Sequence, residues 1–197
     1  MFLPDRGLAT HILKTEQLGD GDSSYGSGPS WQHSPDPSSR NLNSSIYLTW
    51  LIREAKKRNP EVVTYTLSWT APGWIGEYLS STGVKYHVDY MKAAREQFGI
   101  EFDFAGVHNE ASWTRDYIKQ LRTAMDAAGL NGTTIVMPDG NDKGCEDCPS
   151  SWKGKASTAL AEDPGLAAAV GVLGIHGSDV EGIGDSGEWK GTYWNSE

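Results

Sequence analysis

Two short stretches set a glutamate beside an asparagine at the end of an apolar run. "HNE" (108–110) follows "FDFAGV", and "NSE" (195–197) follows "TYW". Two carboxylates on one face are what glycosidic bond cleavage requires. One protonates the leaving oxygen and the other attacks the anomeric carbon, from ~5–5.5 Å away in a retaining enzyme. Glu110 and Glu197 lie far apart in the sequence, so only a fold can bring them together. Asn109 is placed to hydrogen-bond a sugar hydroxyl. The plainer alternative is that Glu110 starts a loop or caps a helix.

The elements that must position these residues alternate. Strands are expected at 8–14, 61–67, 101–107, 133–139 and 191–197, and at the end of the apolar run 167–177, where β-branched and apolar residues cluster. Helices are expected at 44–59, 84–99, 114–130 and 150–163, from apolar residues at helical spacing. Ser44 or Ser45 and Thr114 serve as N-caps, and Gly129 and Pro60 as stops. The stretch 17–41 is rich in Gly, Ser, Asp and Pro and reads as a long loop. Alternating βα units imply a parallel sheet with helices outside it. No glycine-rich dinucleotide fingerprint or P-loop follows a strand, which favours a (β/α) barrel over a doubly wound nucleotide fold. In a barrel the working residues sit at the C-terminal strand ends. The polar residues there are His11, Lys14, Ser68, Trp69, His108, Asn109, Glu110, Asp139, His176 and 195–197.

Composition narrows the partners. A net charge of −9 argues against nucleic acid and anionic membrane surfaces. Eight Trp and eight Tyr suit either core packing or a cleft that stacks flat rings on sugars. No run approaches the ~20 apolar residues of a membrane span. The N-terminus, "MFLPDRGLATH", does not read as a signal peptide, because Asp5 and Arg6 interrupt it. "CEDC" (145–148) reads as a loop disulfide or two free thiols, since a zinc site needs two more ligands. Asn43 and Asn131 each open a glycosylation triplet.

"HILK" with "GDG", then "EAKKRNP", "SWTAPGWIG", "NEASWTRDYIKQLR" and the terminal "SE" occur in the order of one known family. The chain resembles glycoside hydrolase family 59, the galactocerebrosidase family of retaining (β/α)8 TIM-barrel enzymes. The resemblance implies an α/β fold with an incomplete barrel, about strands 2 to 7. Residues 1–197 are then a partial catalytic domain, without the first and eighth strands and the accessory β-domains. It implies Glu110 as acid/base and Glu197 as nucleophile. Trp69 is implied to line the galactose pocket, and Ser24, or Ser23 one residue off, to contact the sugar. Asn109, His108 and His176 complete the expected substrate-binding set. His108 stands where the family has Trp. It either tunes a carboxyl group or is an inert replacement, and the "CEDC" loop looks longer than the family's. The implied substrate is a galactosylceramide-type glycolipid or another β-galactoside, with a saposin-like lipid activator as partner and no cofactor or metal. A barrel glycosidase for non-lipid glycosides and a non-catalytic carbohydrate-binding remnant are the alternatives. The implied location is lysosomal or secreted.

Overall fold

The computed structural model describes residues 2–3, 5, 8–21, 28–142, 144–152, 155–177 and 189–196, with only the backbone of 44–46. Six strands among them form one sheet: β1 (Ile12–Gln17), β2 (Val63–Ser68), β3 (Phe104–Gly106), β4 (Thr134–Gly140), β5 (Val172–Ile175) and β6 (Thr192–Asn195). Their spatial order is their chain order, and every neighbouring pair is parallel. Between them run α1 (Ile46–Arg58), α2 (Ser81–Phe98), α3 (Arg115–Ala127), α4 (Ala156–Glu162) and α5 (Pro164–Ala169). The α/β architecture with a parallel sheet is the one the alternating pattern predicts.

Side chains alternate across the strands, so the sheet has two apolar faces. One carries Ala105, Ile135, Met137, Leu173 and Ile175 against the helices, in the main core with Tyr90, Ile118, Leu121 and Leu166. The other carries Tyr65, Leu67, Val136 and Val172, with Trp69, Phe104 and Trp194 packed beside them. Apolar residues on both faces explain why these strands read as continuous rather than alternating runs.

Local chemistry sets the helix ends. The Thr114 hydroxyl accepts from the Tyr117 N–H at 3.1 Å, the cap expected from the sequence. The Asp147 carboxylate adds a second cap, accepting from the Arg115 and Asp116 N–H groups at 2.8 and 3.1 Å. An anion there also complements the helix dipole. Gly99 closes α2 with φ 66°, a left-handed conformation that suits glycine.

Several boundaries depart from expectation. The first strand is 12–17 rather than 8–14, so Lys14 lies within it. Helix α2 starts at Ser81, where 81–83 read as loop, because the Ser80 hydroxyl caps it. The strand expected at 101–107 shrinks to Phe104–Gly106. The helix expected at 150–163 divides into a 3-10 turn at Ser150–Trp152 and α4. The apolar run 167–177 ends in a strand as expected, and its first residues, 167–169, belong to α5; Asp163 caps that helix and Pro164 fills its first position. Cys145 and Cys148 are joined in a disulfide. Among the described residues no helix is long and apolar enough to cross a membrane.

Candidate active site

The C-terminal strand ends converge on one polar cluster. Its centre is Asp139, the next-to-last residue of β4, which is fully buried and has φ 60°. Its Oδ1 accepts from Lys14 Nζ on β1 at 3.1 Å, from the Ser196 hydroxyl after β6 at 3.1 Å, and lies 2.7 Å from His176 Nε2 after β5. Lys14 Nζ also donates to the Ser196 carbonyl at 3.2 Å. A buried carboxylate persists only with such partners, and the Lys14 ammonium supplies the opposite charge. Oδ2 has no partner among the described residues and lies against Gly106, where a Cβ would meet it at 3.1 Å.

Glu110 follows β3 and is tied to the same centre. Its N–H donates to the Asp139 carbonyl at 2.9 Å, and its own φ is 51°. Positive φ is uncommon away from glycine, so two such residues joined by a backbone bond mark a site held by its surroundings. Gly140 makes the approach feasible: a Cβ on it would stand 2.9 Å from Glu110 Cα. The Glu110 side chain is 55% exposed, and its Oε1 lies 3.1 Å from His176 Nδ1. It therefore faces solvent with one oxygen and a histidine with the other.

Asn109 is anchored through its N–H to the Ser68 carbonyl at 2.9 Å. Its Oδ1 is buried without a partner among the described residues, an acceptor kept in readiness. His108 Nε2 lies 3.1 Å from the Trp69 carbonyl. A carbonyl only accepts, so Nε2 carries the proton. Burial pushes this imidazole below its ordinary value, which suits a neutral donor. The ring packs on Tyr78 with centroids 4.4 Å apart. The His108–Trp69 bond thus couples the Asn109–Glu110 segment to the Trp69 loop. Trp69 is half-buried, and Lys14 Nζ stands 5.4 Å from its ring centroid. A cleft of about 510 Å³ opens beside the cluster, lined by Ile12, Lys14, Tyr65, Tyr193, Trp194, Asn195 and Ser196.

The structure therefore brings Trp69, His108, Asn109, Glu110 and His176 to the same strand ends. Ser23, Ser24 and Glu197 lie outside the described residues. Lys14, Asp139 and Ser196 read in the sequence only as polar residues near strand ends, and their mutual contacts carry no local signal. Gly106 and Gly140 were not singled out; a Pro-Asp-Gly turn closing an apolar run, "VMPDG", is the signal that points to the second. The disulfide loop is tied to the segment that follows Glu110. It hydrogen-bonds to Trp113 through the Gly144 carbonyl and the Glu146 N–H, each at 3.0 Å. Its bonded sulfurs offer no thiolate to a metal.

Known proteins share this fold. The chain resembles solved structures of the endo-beta1,6-glucanase BT3312 (TM-score 0.69, 19% identity, 90% of this chain and 45% of that one) and of SrfJ from Salmonella typhimurium (TM-score 0.66, 17% identity, 84% and 42%). At those identities the likeness shows the fold alone. Galactocerebrosidases are closer in sequence. The Danio rerio protein is 31% identical over 203 residues, and the Homo sapiens protein 30% identical over 206 residues. Each match takes in 100% of this chain and 28% of the relative, so the chain spans little more than a quarter of their length. The family model described as glycosyl hydrolase family 59 matches residues 1–197. The chain belongs to glycosyl hydrolase family 59.

Proposed function

We propose that the protein carrying this chain is a retaining β-galactoside hydrolase that releases galactose from galactosylceramide-type glycolipids. Family membership and the galactocerebrosidase relatives support the substrate class. The observation that carries the chemistry is the Asn109–Glu110 pair after β3. It combines a half-exposed carboxyl group with a buried amide oxygen beside it that has no partner among the described residues.

Glu110 is the acid/base and Glu197 the nucleophile. In the first step Glu197 bonds to the anomeric carbon while Glu110 protonates the departing oxygen. In the second Glu110 takes a proton from water, whose oxygen displaces Glu197 from that carbon. Asn109 Oδ1 accepts from a galactose hydroxyl, and the contact strengthens in the transition state. Trp69 offers its ring face to the sugar, and Ser24 a hydroxyl. Glu197 directly follows Ser196, whose hydroxyl is held by Asp139. The chemistry draws on no cofactor or metal.

The six strands are read as strands 2 to 7 of a (β/α)8 barrel, with residues 1–197 as part of its catalytic domain. A lysosomal or secreted location and a saposin-like lipid activator go with the glycolipid substrate.

The test treats the full-length protein with a 2-fluoro β-galactosyl fluoride and maps the labelled peptide. Label on Glu197 is expected. A folded protein that takes no label, or a label elsewhere, overturns the assignment.

A further inference from the structure

The Proposed function leaves unexplained why the half-exposed Glu110 is tied to a fully buried carboxylate through one histidine. We infer that His176 is a positioning residue for Glu110, held for that task by Asp139. The inference rests on the reading of Glu110 as acid/base.

The geometry fixes most of the protons. Asp139 Oδ1 already accepts from Lys14 Nζ and the Ser196 hydroxyl, so the 2.7 Å contact with His176 Nε2 is an Nε2–H donated to Asp139. The ring is further oriented by the His176 backbone N–H, which donates to the Gly140 carbonyl at 2.9 Å. Nδ1 then points at Glu110 Oε1, 3.1 Å away. The charged groups that meet this imidazole among the described residues are Glu110 after β3 and Asp139 on β4, with Lys14 on β1 behind Asp139. Two carboxyl groups face one ring, an arrangement suited to an imidazolium that donates from both nitrogens.

The consequence is a division of labour between the two oxygens of Glu110. Nδ1–H holds Oε1, and Oε2 is the oxygen that exchanges protons. In the first step the Oε2 proton passes to the leaving oxygen as its bond to the anomeric carbon breaks. In the second a proton of the attacking water passes to Oε2 as the bond to Glu197 breaks. Nδ1–H stays on Oε1 through both. It stabilises the carboxylate that forms after the first step and fixes the direction of Oε2.

Two variants of the full-length protein separate the two ends of the ring. In His176→Gln the amide replaces Nε2, keeps the donor to Asp139 and leaves Oε1 without one. In His176→Asn the amide replaces Nδ1 and does the reverse. Phenyl β-galactoside needs protonation of its leaving group; 2,4-dinitrophenyl β-galactoside does not. His176→Gln is expected to lower kcat/KM on the phenyl substrate by roughly 10- to 100-fold, a part of the full general-acid contribution. On the dinitrophenyl substrate kcat/KM should hold while kcat falls. His176→Asn should recover part of the phenyl rate. Equal losses of kcat/KM on both substrates would show a merely structural histidine and overturn the inference. So would failure of both variants to fold. Wild-type activity that Glu110→Gln abolishes and His176→Gln leaves intact sinks the inference alone. A folded wild type that cleaves neither galactoside sinks the reading beneath it.

Discussion

The N–H of Glu110 donates to the carbonyl of Asp139 at 2.9 Å, and both residues have positive φ. The backbone after β3 and the end of β4 are therefore locked to each other before any side chain is considered. Gly140, next to Asp139, has no room for a Cβ because Glu110 Cα would lie 2.9 Å from it. The obstructing atom is backbone, which yields only if Glu110 moves. Gly140→Ala should lower kcat/KM at least about tenfold, since misplacing a reacting group by ~1 Å costs up to ~10²-fold. It should also cost about 1–3 kcal/mol of stability, as overpacking does. Steady-state kinetics and denaturant unfolding of the full-length variant check both, and unchanged kinetics would contradict the placement of Glu110.

Asp139 gathers three donors on one buried oxygen. Asp139→Ala removes the acceptor that Lys14, His176 and Ser196 share and leaves Lys14 Nζ with the Ser196 carbonyl in place of a carboxylate. Breaking a buried pair costs about 3–5 kcal/mol, and Lys14 retains enough exposure to put the expected loss near the low end. Replacing both charges, as Lys14→Met with Asp139→Leu, should recover part of that stability while activity stays lost. Equilibrium unfolding of the single and double variants tests the coupling.

Asn109 behaves differently because its buried Oδ1 has no partner to lose among the described residues. Asn109→Ala should change stability by no more than about 1 kcal/mol, the scale of one ordinary hydrogen bond. Activity should nevertheless fall at least about 100-fold, because sugar contacts of this kind supply several kcal/mol in the transition state. A thermal melt and kcat/KM on one preparation suffice. A large stability loss would identify a structural amide instead.

His87 gives a pH dependence with a definite sign. Burial first, then the nearby His108, holds its imidazole down to about 4. In the unfolded chain it titrates near its ordinary ~6.5. The stability due to neutral His87 is complete above about pH 6.5, declines as pH falls through about 4, and then levels off; about 3 kcal/mol is the most it can contribute. His87 Nδ1 lies 3.2 Å from the Tyr78 hydroxyl, so His87→Asn retains a polar group at that point. Melting temperatures between pH 4 and 7 should fall less steeply in that variant than in the wild type. Parallel curves would remove His87 as the cause.

The sequence carried the helices and the order of the strands because those depend on short-range periodicity. Thr114 capped α3 as expected. Where local signals competed, the reading slipped. The alanine run 167–169 lies in a helix because Asp163 and Pro164 start one. Lys14 read as a residue past a strand that in fact continues to Gln17. The pairing of "HNE" with Asp139 and His176 had no local cue, since the bonds from His176 to Glu110 and Asp139 cross 66 and 37 residues. The polar residues near strand ends were visible one by one; their common acceptor was not.

The Lys14 ammonium joins the two strands that end the sheet order, reaching from β1 to the carbonyl that follows β6 across 182 residues of chain. On the ribosome, that acceptor is synthesised after all six strands of the sheet. Lys14 must wait through that synthesis, so the polar cluster is among the last parts of the sheet to be completed. Contacts this distant in sequence also slow folding after release. The arrangement thus makes completion of the site a late event in the assembly of the sheet.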